Sequence, residues 1–285
     1  PEDIAAQEII NLLKQNVATE AHDFAGGKLE LLMIKLEPNA IAINKTLEEV
    51  IENYKHIDFR ALAIHRRQNT FIPKAHDVFQ EGDLVYVITK PHAIKELMQL
   101  SGKTKLNINN VMIVGGGRIG KQTAKLLEND LNIKIFEMDK SRSLELTNSL
   151  TNTLVVNADA RNVDLLEDEG IKDMDAFIAV TDNTETNILT CLQAKSFGVK
   201  RTIAMVENID YIDISQNIGI DTIINKKLIA ASYMVRYTLG GNVSALKCLS
   251  GIDADIVEFV VRDGAEVTER PINRLNLPEG AIIGG

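Results

Sequence analysis

The chain has 285 residues, 45% of them apolar and 25% charged, with a formal net charge of −9. That length exceeds one typical domain of about 100–150 residues and predicts at least two. The acidic balance argues against nucleic acid, whose phosphates demand a basic face, and no apolar run approaches the roughly 18 residues of a membrane span.

The first residues carry Glu2, Asp3, Glu8 and Lys14, which does not fit a secretory leader. A start at Pro1 rather than Met reads as part of a longer chain. The 2 cysteines, Cys191 and Cys248, lie far apart and predict a reducing cytoplasm rather than a disulfide framework. Residues 4–13 read as a helix, and 21–104 as a small α+β domain. Within that domain Tyr86-Val87-Ile88-Thr89-Lys90 has the YxxxK spacing of short-chain dehydrogenases. The pair works only on a helix, where i and i+4 are neighbours. GDLVYVITK is a β pattern, which sets them about 13 Å apart, so the match is discarded.

From 108 to 240 strand and helix signals alternate. The apolar run 111–114 feeds Gly115-Gly116-Gly117-Arg118-Ile119-Gly120, a GxGxxG string placed after a strand and before a helix at 119–128. Further strands are expected at 133–138, 153–156, 176–180 and 202–206, with a last apolar run at 222–224. Helices are expected at 144–150, 163–169 and 185–197; Thr181-Asp182-Asn183 caps the last of these and Gly198 closes it. Nearly all-apolar strands between amphipathic helices predict a parallel sheet covered on both faces. The fold class is therefore α/β: a Rossmann-type, doubly wound parallel sheet flanked by small α+β domains.

The chemistry of the turn follows from its residues. Gly115 permits the bend, Gly117 lets backbone approach a pyrophosphate, and Gly120 lets helix and strand pack closely. The exposed N–H groups and the helix dipole favour negative charge there. Arg118 is the only cation in the turn, and Ile119, which opens the helix, is counted with the cofactor-binding set. About 20 residues on, the ribose hydroxyls call for a carboxylate. Glu137 stands there, with Asp139 two residues further on the same strand face. A carboxylate repels a 2′-phosphate, so NAD(H) or an adenine nucleotide such as ATP or ADP is favoured over NADP(H). Asp159 and Ala160 would flank the adenine, and Thr181 would reach a sugar or phosphate; for each, helix capping or a solvated loop is an equal alternative.

Hydride transfer needs a proton-moving group, usually His, Tyr or Lys near the nicotinamide. All 5 histidines precede the glycine turn, and metal-ligand spacings and a P-loop lysine are absent. The chain reads as a non-enzyme, with an NAD-dependent dehydrogenase as the alternative.

The flanks repeat each other. Gly26-Gly27-Lys28-Leu29-Glu30-Leu31 aligns with Gly251-Ile252-Asp253-Ala254-Asp255-Ile256, and residues 45–50 fall near 270–275, an offset of about 225 residues. This reads as a tandem duplication of a module made of a nucleotide domain and a small domain. Residues 1–20 are then the end of a preceding nucleotide-binding module, 21–104 a small α+β domain, 108–240 the nucleotide-binding domain and 241–285 a partial second small domain.

VMIVGGGRIG, NADARNVDLLEDEGI, FIAVTDNTETNILTCLQAKSFGVKRTIAMVEN and IGIDTIINKKLIAA resemble the ligand-binding core of RCK (KTN) domains. The duplicated arrangement with QEGDLVYVI resembles the TrkA family of regulatory subunits of Trk-type potassium uptake systems. The resemblance implies RCK_N-like and RCK_C-like domains, binding of NAD(H), ATP or ADP, and a homo-oligomer built as a dimer or higher ring. It also implies a cytoplasmic protein, peripheral on the inner face of the cell membrane, that docks on an integral-membrane potassium-translocating subunit and gates it; regulation of an efflux channel or another transporter is the alternative. Carried over residue by residue, Gly115, Gly117, Arg118 and Gly120 meet the phosphates, Glu137 the ribose, and Asp159 and Ala160 the base. Asn157 stands where the family usually has Gly, which sets the loop before Asp159 apart.

Overall fold

The computed structural model describes the chain apart from residues 1, 16–19, 68, 103–105, 239–242, 249–253 and 279. The aligned Gly251-Ile252-Asp253 of the repeat thus lies outside the described residues. In chain order the elements are α1 (Glu2–Gln15), β1 (Glu20–Phe24), β2 (Leu29–Lys35), α2 (Leu47–Asn53), β3 (Phe59–Arg66), β4 (Asn69–Phe71), β5 (Leu84–Thr89) and α3 (Ile94–Leu100). They continue with β6 (Asn110–Val114), α4 (Arg118–Leu127), β7 (Asn132–Glu137), α5 (Lys140–Ser149), β8 (Thr153–Asn157), α6 (Val163–Asp168), β9 (Ala176–Ala179) and α7 (Thr184–Ser196). Last come β10 (Arg201–Met205), α8 (Asp210–Asn217), β11 (Thr222–Ile224), α9 (Lys226–Thr238), β12 (Val243–Cys248) and β13 (Asp255–Phe259). The chain forms two compact units: Pro1–Thr19 with Lys105–Ala230, and Glu20–Thr104 with Ala231–Gly285.

The first unit is a six-stranded sheet of order β11-β10-β9-β6-β7-β8, parallel throughout. Alternation along the strands supplies both cores. Val111 and Ile113 of β6 join Ala176 and Ile178 of β9 on one face. Met112 and Val114 join Phe177 and Ala179 on the other. Strand order reverses between β6 and β9, the switch point at which such sheets open a crevice.

Helix α1 belongs to this unit's core rather than standing apart from it. Ala5, Ile9, Leu12 and Leu13 recur at helical spacing and pack with Ala124 and Leu127 of α4. Fully burying each Ile or Leu contributes roughly 1.5–3 kcal/mol. Two elements differ from expectation. Helix α5 starts at Lys140, earlier than the expected 144, because the Asp139 side chain accepts the Arg142 N–H and caps it. Helix α8 was not expected; its stretch DYIDISQN mixes acids with apolar residues and carries no strong stripe.

In the second unit five antiparallel strands run in the order β1-β2-β5-β3-β4. Tyr86 and Lys90 of the discarded YxxxK match do sit in and after strand β5, where Tyr86 is fully buried and Lys90 Nζ bonds Asp58 at 2.8 Å. Buried Asp83 accepts Arg66 Nε and Nη2, both at 2.7 Å, and the Gln80 N–H at 2.8 Å. That fork holds the turn before β5 to the end of β3. Strands β12 and β13 pair antiparallel, and Ala254, Ile256 and Ile282 pack on the Leu31, Met33 and Tyr86 face of the sheet. Glu258 Oε2 accepts the Ala25 N–H at 2.8 Å. Helix α9 followed by β12 and β13 has the same order as α1, β1 and β2. Among the described residues no helix is long and apolar enough to cross a membrane.

Candidate functional site

Above the C-terminal ends of the parallel strands lies a cavity of about 430 Å³. Its walls come from the glycine turn, the ends of β7 and β8, and the loop after β9. Gly115 has φ +105, and a Cβ there would meet Val180 and Thr181 backbone at 2.9 Å. The turn therefore lies directly on the end of β9. Gly117 faces open space and lines the cavity, and as a backbone surface without a side chain it admits close approach of a ligand. Gly120 packs on the Gly115 carbonyl with no room for a side chain.

Glu137, at the end of β7, is 5% exposed. Its Oε2 accepts the Gly116 N–H at 2.9 Å and its Oε1 the Asp139 N–H at 2.8 Å. Arg142 Nη1 stands 3.6 Å from the same carboxylate. Each carboxylate oxygen has two lone-pair sites, so capacity for ribose hydroxyls remains. Asp139 was expected on the strand face beside Glu137; it is instead the N-cap of α5. Its Oδ1 accepts the Arg142 N–H and the Ser141 hydroxyl, both at 2.7 Å. The Ser141 hydroxyl and then the Arg142 N–H hold the Asp139 carboxyl below its ordinary value. The physical reason is that pairing of β7 with β8 ends at Glu137 and Asn157, and an Asp just before a helix satisfies one of its orphan N–H groups.

Asp159 and Ala160 line the cavity after β8. Asp159 is held by Arg161, whose guanidinium bonds lower its pKa. Asn157 donates its amide to the carbonyls of Glu137 at 2.8 Å and Met138 at 3.2 Å. It ties the two strand ends together. Thr181 lines the opposite wall with Asp182 and Asn183.

Arg118 and Ile119 lie outside the cavity wall. Ile119 is buried in the core with α1, and the Arg118 guanidinium, 86% exposed, stands 3.6 Å from Glu2 of α1.

The sequence reading did not single out two cavity-lining arginines, nor one buried amide that holds the cavity wall from behind. Asn187 of α7, fully buried, donates to the carbonyls of Thr181 (2.9 Å) and Met205 (2.8 Å). Its Oδ1 accepts the Thr181 N–H (3.0 Å) and hydroxyl (2.7 Å). The available signal was a polar residue on the inner face of a helix. Arg142 and Arg161 are cavity-lining cations; both stood in loops or first turns where arginines are ordinary. Cys191 is buried, and burial pushes its thiol up.

Sheet order, glycine turn and the Glu137 carboxylate define a Rossmann-type nucleotide domain, here joined to a small α+β domain. Family models match at residues 111–226 as a TrkA-N domain and at 31–102 as a TrkA-C domain. The chain is 31% identical over 286 residues to "Trk system potassium uptake protein TrkA homolog 2" of Methanosarcina mazei, covering 99% of this chain and 63% of that protein. It is 30% identical over 284 residues to "Trk system potassium uptake protein trkA homolog 1" of Methanosarcina mazei, covering 99% and 69%. The chain belongs to the TrkA family of Trk system potassium uptake proteins. It spans 63% of the length of the first relatives. In fold it is similar to the GsuK RCK domain (TM-score 0.56, 17% identity, 86% of this chain and 54% of that one) and to the GsuK channel bound to NAD (0.53, 18%, 86% and 44%).

Proposed function

We propose that this chain is part of a nucleotide-sensing regulatory subunit that binds NAD(H), with ATP or ADP as competing ligands, and gates a potassium uptake transporter without transforming the nucleotide. In this reading Gly115, Gly117 and the N–H groups at Arg118, Ile119 and Gly120 receive the phosphates, and Glu137 takes the ribose hydroxyls. Thr181 faces the second half of a dinucleotide, Ala160 backs the adenine, and Asp139 and Asp159 act at one remove by fixing α5 and Arg161.

One observation carries the reading. Three of the four carboxylates lining the cavity are engaged in shaping it: Glu137 holds the glycine turn, Asp139 caps α5, and Asp159 holds Arg161, while the fourth, Asp182, is exposed at the rim. Such an arrangement presents a binding surface, whereas a general base must be within reach of a substrate proton and have a pKa matched to its transfer. A similar fold is described as a channel bound to NAD, and the named relatives are potassium uptake proteins.

The domain plan is a tandem one. In this plan 21–104 and 241–285 are the two small domains and 108–240 is the nucleotide domain; residues 1–20, read from the sequence as the end of a preceding module, supply α1 to the core of that nucleotide domain. The partner is an integral-membrane potassium-translocating subunit, engaged at the inner face of the cell membrane by a cytoplasmic homo-oligomer, a dimer or higher ring. Thermal-shift titration with NADH, NAD, ATP, ADP and NADPH, followed by chromatography of the ligand, tests this. The expected result is stabilisation by NADH or adenine nucleotides over NADPH, with ligand recovered intact; preference for NADPH or steady conversion of NADH would overturn it.

A further inference from the structure

The wall of the cavity at the β8 edge carries a cation fixed in an unusual way. Asp159 Oδ1 accepts the Arg161 N–H at 2.9 Å and Nε at 3.0 Å, and Oδ2 accepts Nε at 3.0 Å and Nη2 at 2.6 Å. The two residues are only two apart, so the fork is closed locally and the guanidinium plane is set by its own loop. Both side chains are well exposed, 65% for Arg161 and 43% for Asp159. An exposed pair of this kind contributes little to folding. Its effect is on geometry: a flexible cation becomes a planar, charge-compensated plate lining a cavity.

Position says what the plate faces. In a doubly wound sheet the phosphates lie at the first glycine turn and the ribose at the carboxylate ending the next strand. Here those points are the turn after β6 and Glu137 at the end of β7. The group beyond the ribose, the base, therefore lies toward β8, the edge strand of the sheet, against the loop holding Ala158, Asp159 and Arg161. A guanidinium plane stacks on flat aromatic systems, which a lysine ammonium cannot do.

We propose that Arg161 is a specificity-determining residue that stacks on the purine base of the bound nucleotide, with Asp159 as its positioning residue. Asp159 then acts through Arg161 instead of touching the base. The inference rests on the nucleotide reading above and adds to it the residue that selects the base: Arg161 favours a large flat purine over a pyrimidine carrying the same phosphates.

Calorimetry of the full chain with AMP, ADP, ATP and UDP separates the possibilities. Arg161→Ala is expected to weaken AMP, ADP and ATP by the same factor, roughly tenfold for a lost base stack, and to change UDP much less. Arg161→Lys keeps the charge without the plane and is expected to restore nothing. Asp159→Asn is expected to cause a smaller loss of the same pattern and to add little on top of Arg161→Ala. A loss growing with the number of phosphates would make Arg161 a phosphate ligand and overturn the stacking role, as would unchanged affinities. No binding of any nucleotide by the parent chain would overturn the nucleotide reading and this inference with it.

Discussion

Glu137 Oε2 accepts the Gly116 N–H at 2.9 Å, so the carboxylate proposed to read the ribose also fixes the turn proposed to hold the phosphates. One side chain sets the spacing of both subsites. A Cβ on Gly116 would collide with Leu146 Cδ1 and stand 2.9 Å from Glu137 Oε2. Gly116→Ala is expected to lose nucleotide binding and to lower the unfolding midpoint, an overpacking cost of about 1–3 kcal/mol. Denaturant unfolding with and without NADH reads both effects.

On the proposed ribose contact, Glu137→Ala removes one or two charge-assisted hydrogen bonds, worth roughly 1.5–3 kcal/mol each. Nucleotide affinity is expected to fall about tenfold or more, and discrimination against 2′-deoxy ligands to shrink with it. Calorimetry with ADP and 2′-deoxy-ADP measures both. Unchanged ADP affinity would move the ribose contact elsewhere.

Arg118 stands at the helix start with its guanidinium beside Glu2. Exposed and outside the cavity wall, this guanidinium reaches a ligand only by leaving Glu2; if it does so to read the phosphates, Arg118→Ala is expected to weaken ATP more than AMP. Equal losses would show that the arginine does not read the terminal phosphates. The pattern is the opposite of that expected for Arg161, which makes the pair a mutual control.

Glu128 provides a structural contrast away from the cavity. Its Oε2 accepts the N–H groups of Thr151 and Asn152, both at 2.9 Å, and the Thr153 hydroxyl at 3.0 Å. Burial pushes its pKa up, but these donors outweigh burial and leave it below the ordinary carboxylate value. A lowered folded-state pKa contributes stability above the unfolded value, and that contribution is lost as pH falls through the folded one. Glu128→Gln is expected to cost about 1–2 kcal/mol at neutral pH, with the gap to the parent closing below roughly pH 4. Urea midpoints across pH test this, and nucleotide affinity stays unchanged.

The parallel sheet was legible in the sequence because buried strands read as short apolar runs, and the glycine turn was legible because the positive φ of Gly115 and the lack of room at Gly120 restrict the residue type. Side-chain bonding within loops was not. Whether Asp139 continued a strand or capped a helix depended on where β8 stopped pairing, a long-range event. Asn187 looked like any helix residue, since only the assembled sheet brings the Met205 carbonyl to it. Arg161 became a fixed plate only through the fork with Asp159. The packing of α1 on α4 was likewise invisible, because an amphipathic helix does not name the surface that covers it.

For a regulatory nucleotide site, binding must favour one arrangement of the chain over another, since a ligand shifts an equilibrium only through differential affinity. Small-angle scattering of the full chain saturated with NADH and, separately, with ATP reads this directly when the ligand is recovered and analysed afterwards. The expected result is two distinguishable profiles and chemically unchanged nucleotide. Identical profiles with both ligands, accompanied by measurable product, would contradict the sensing role and point to an enzyme.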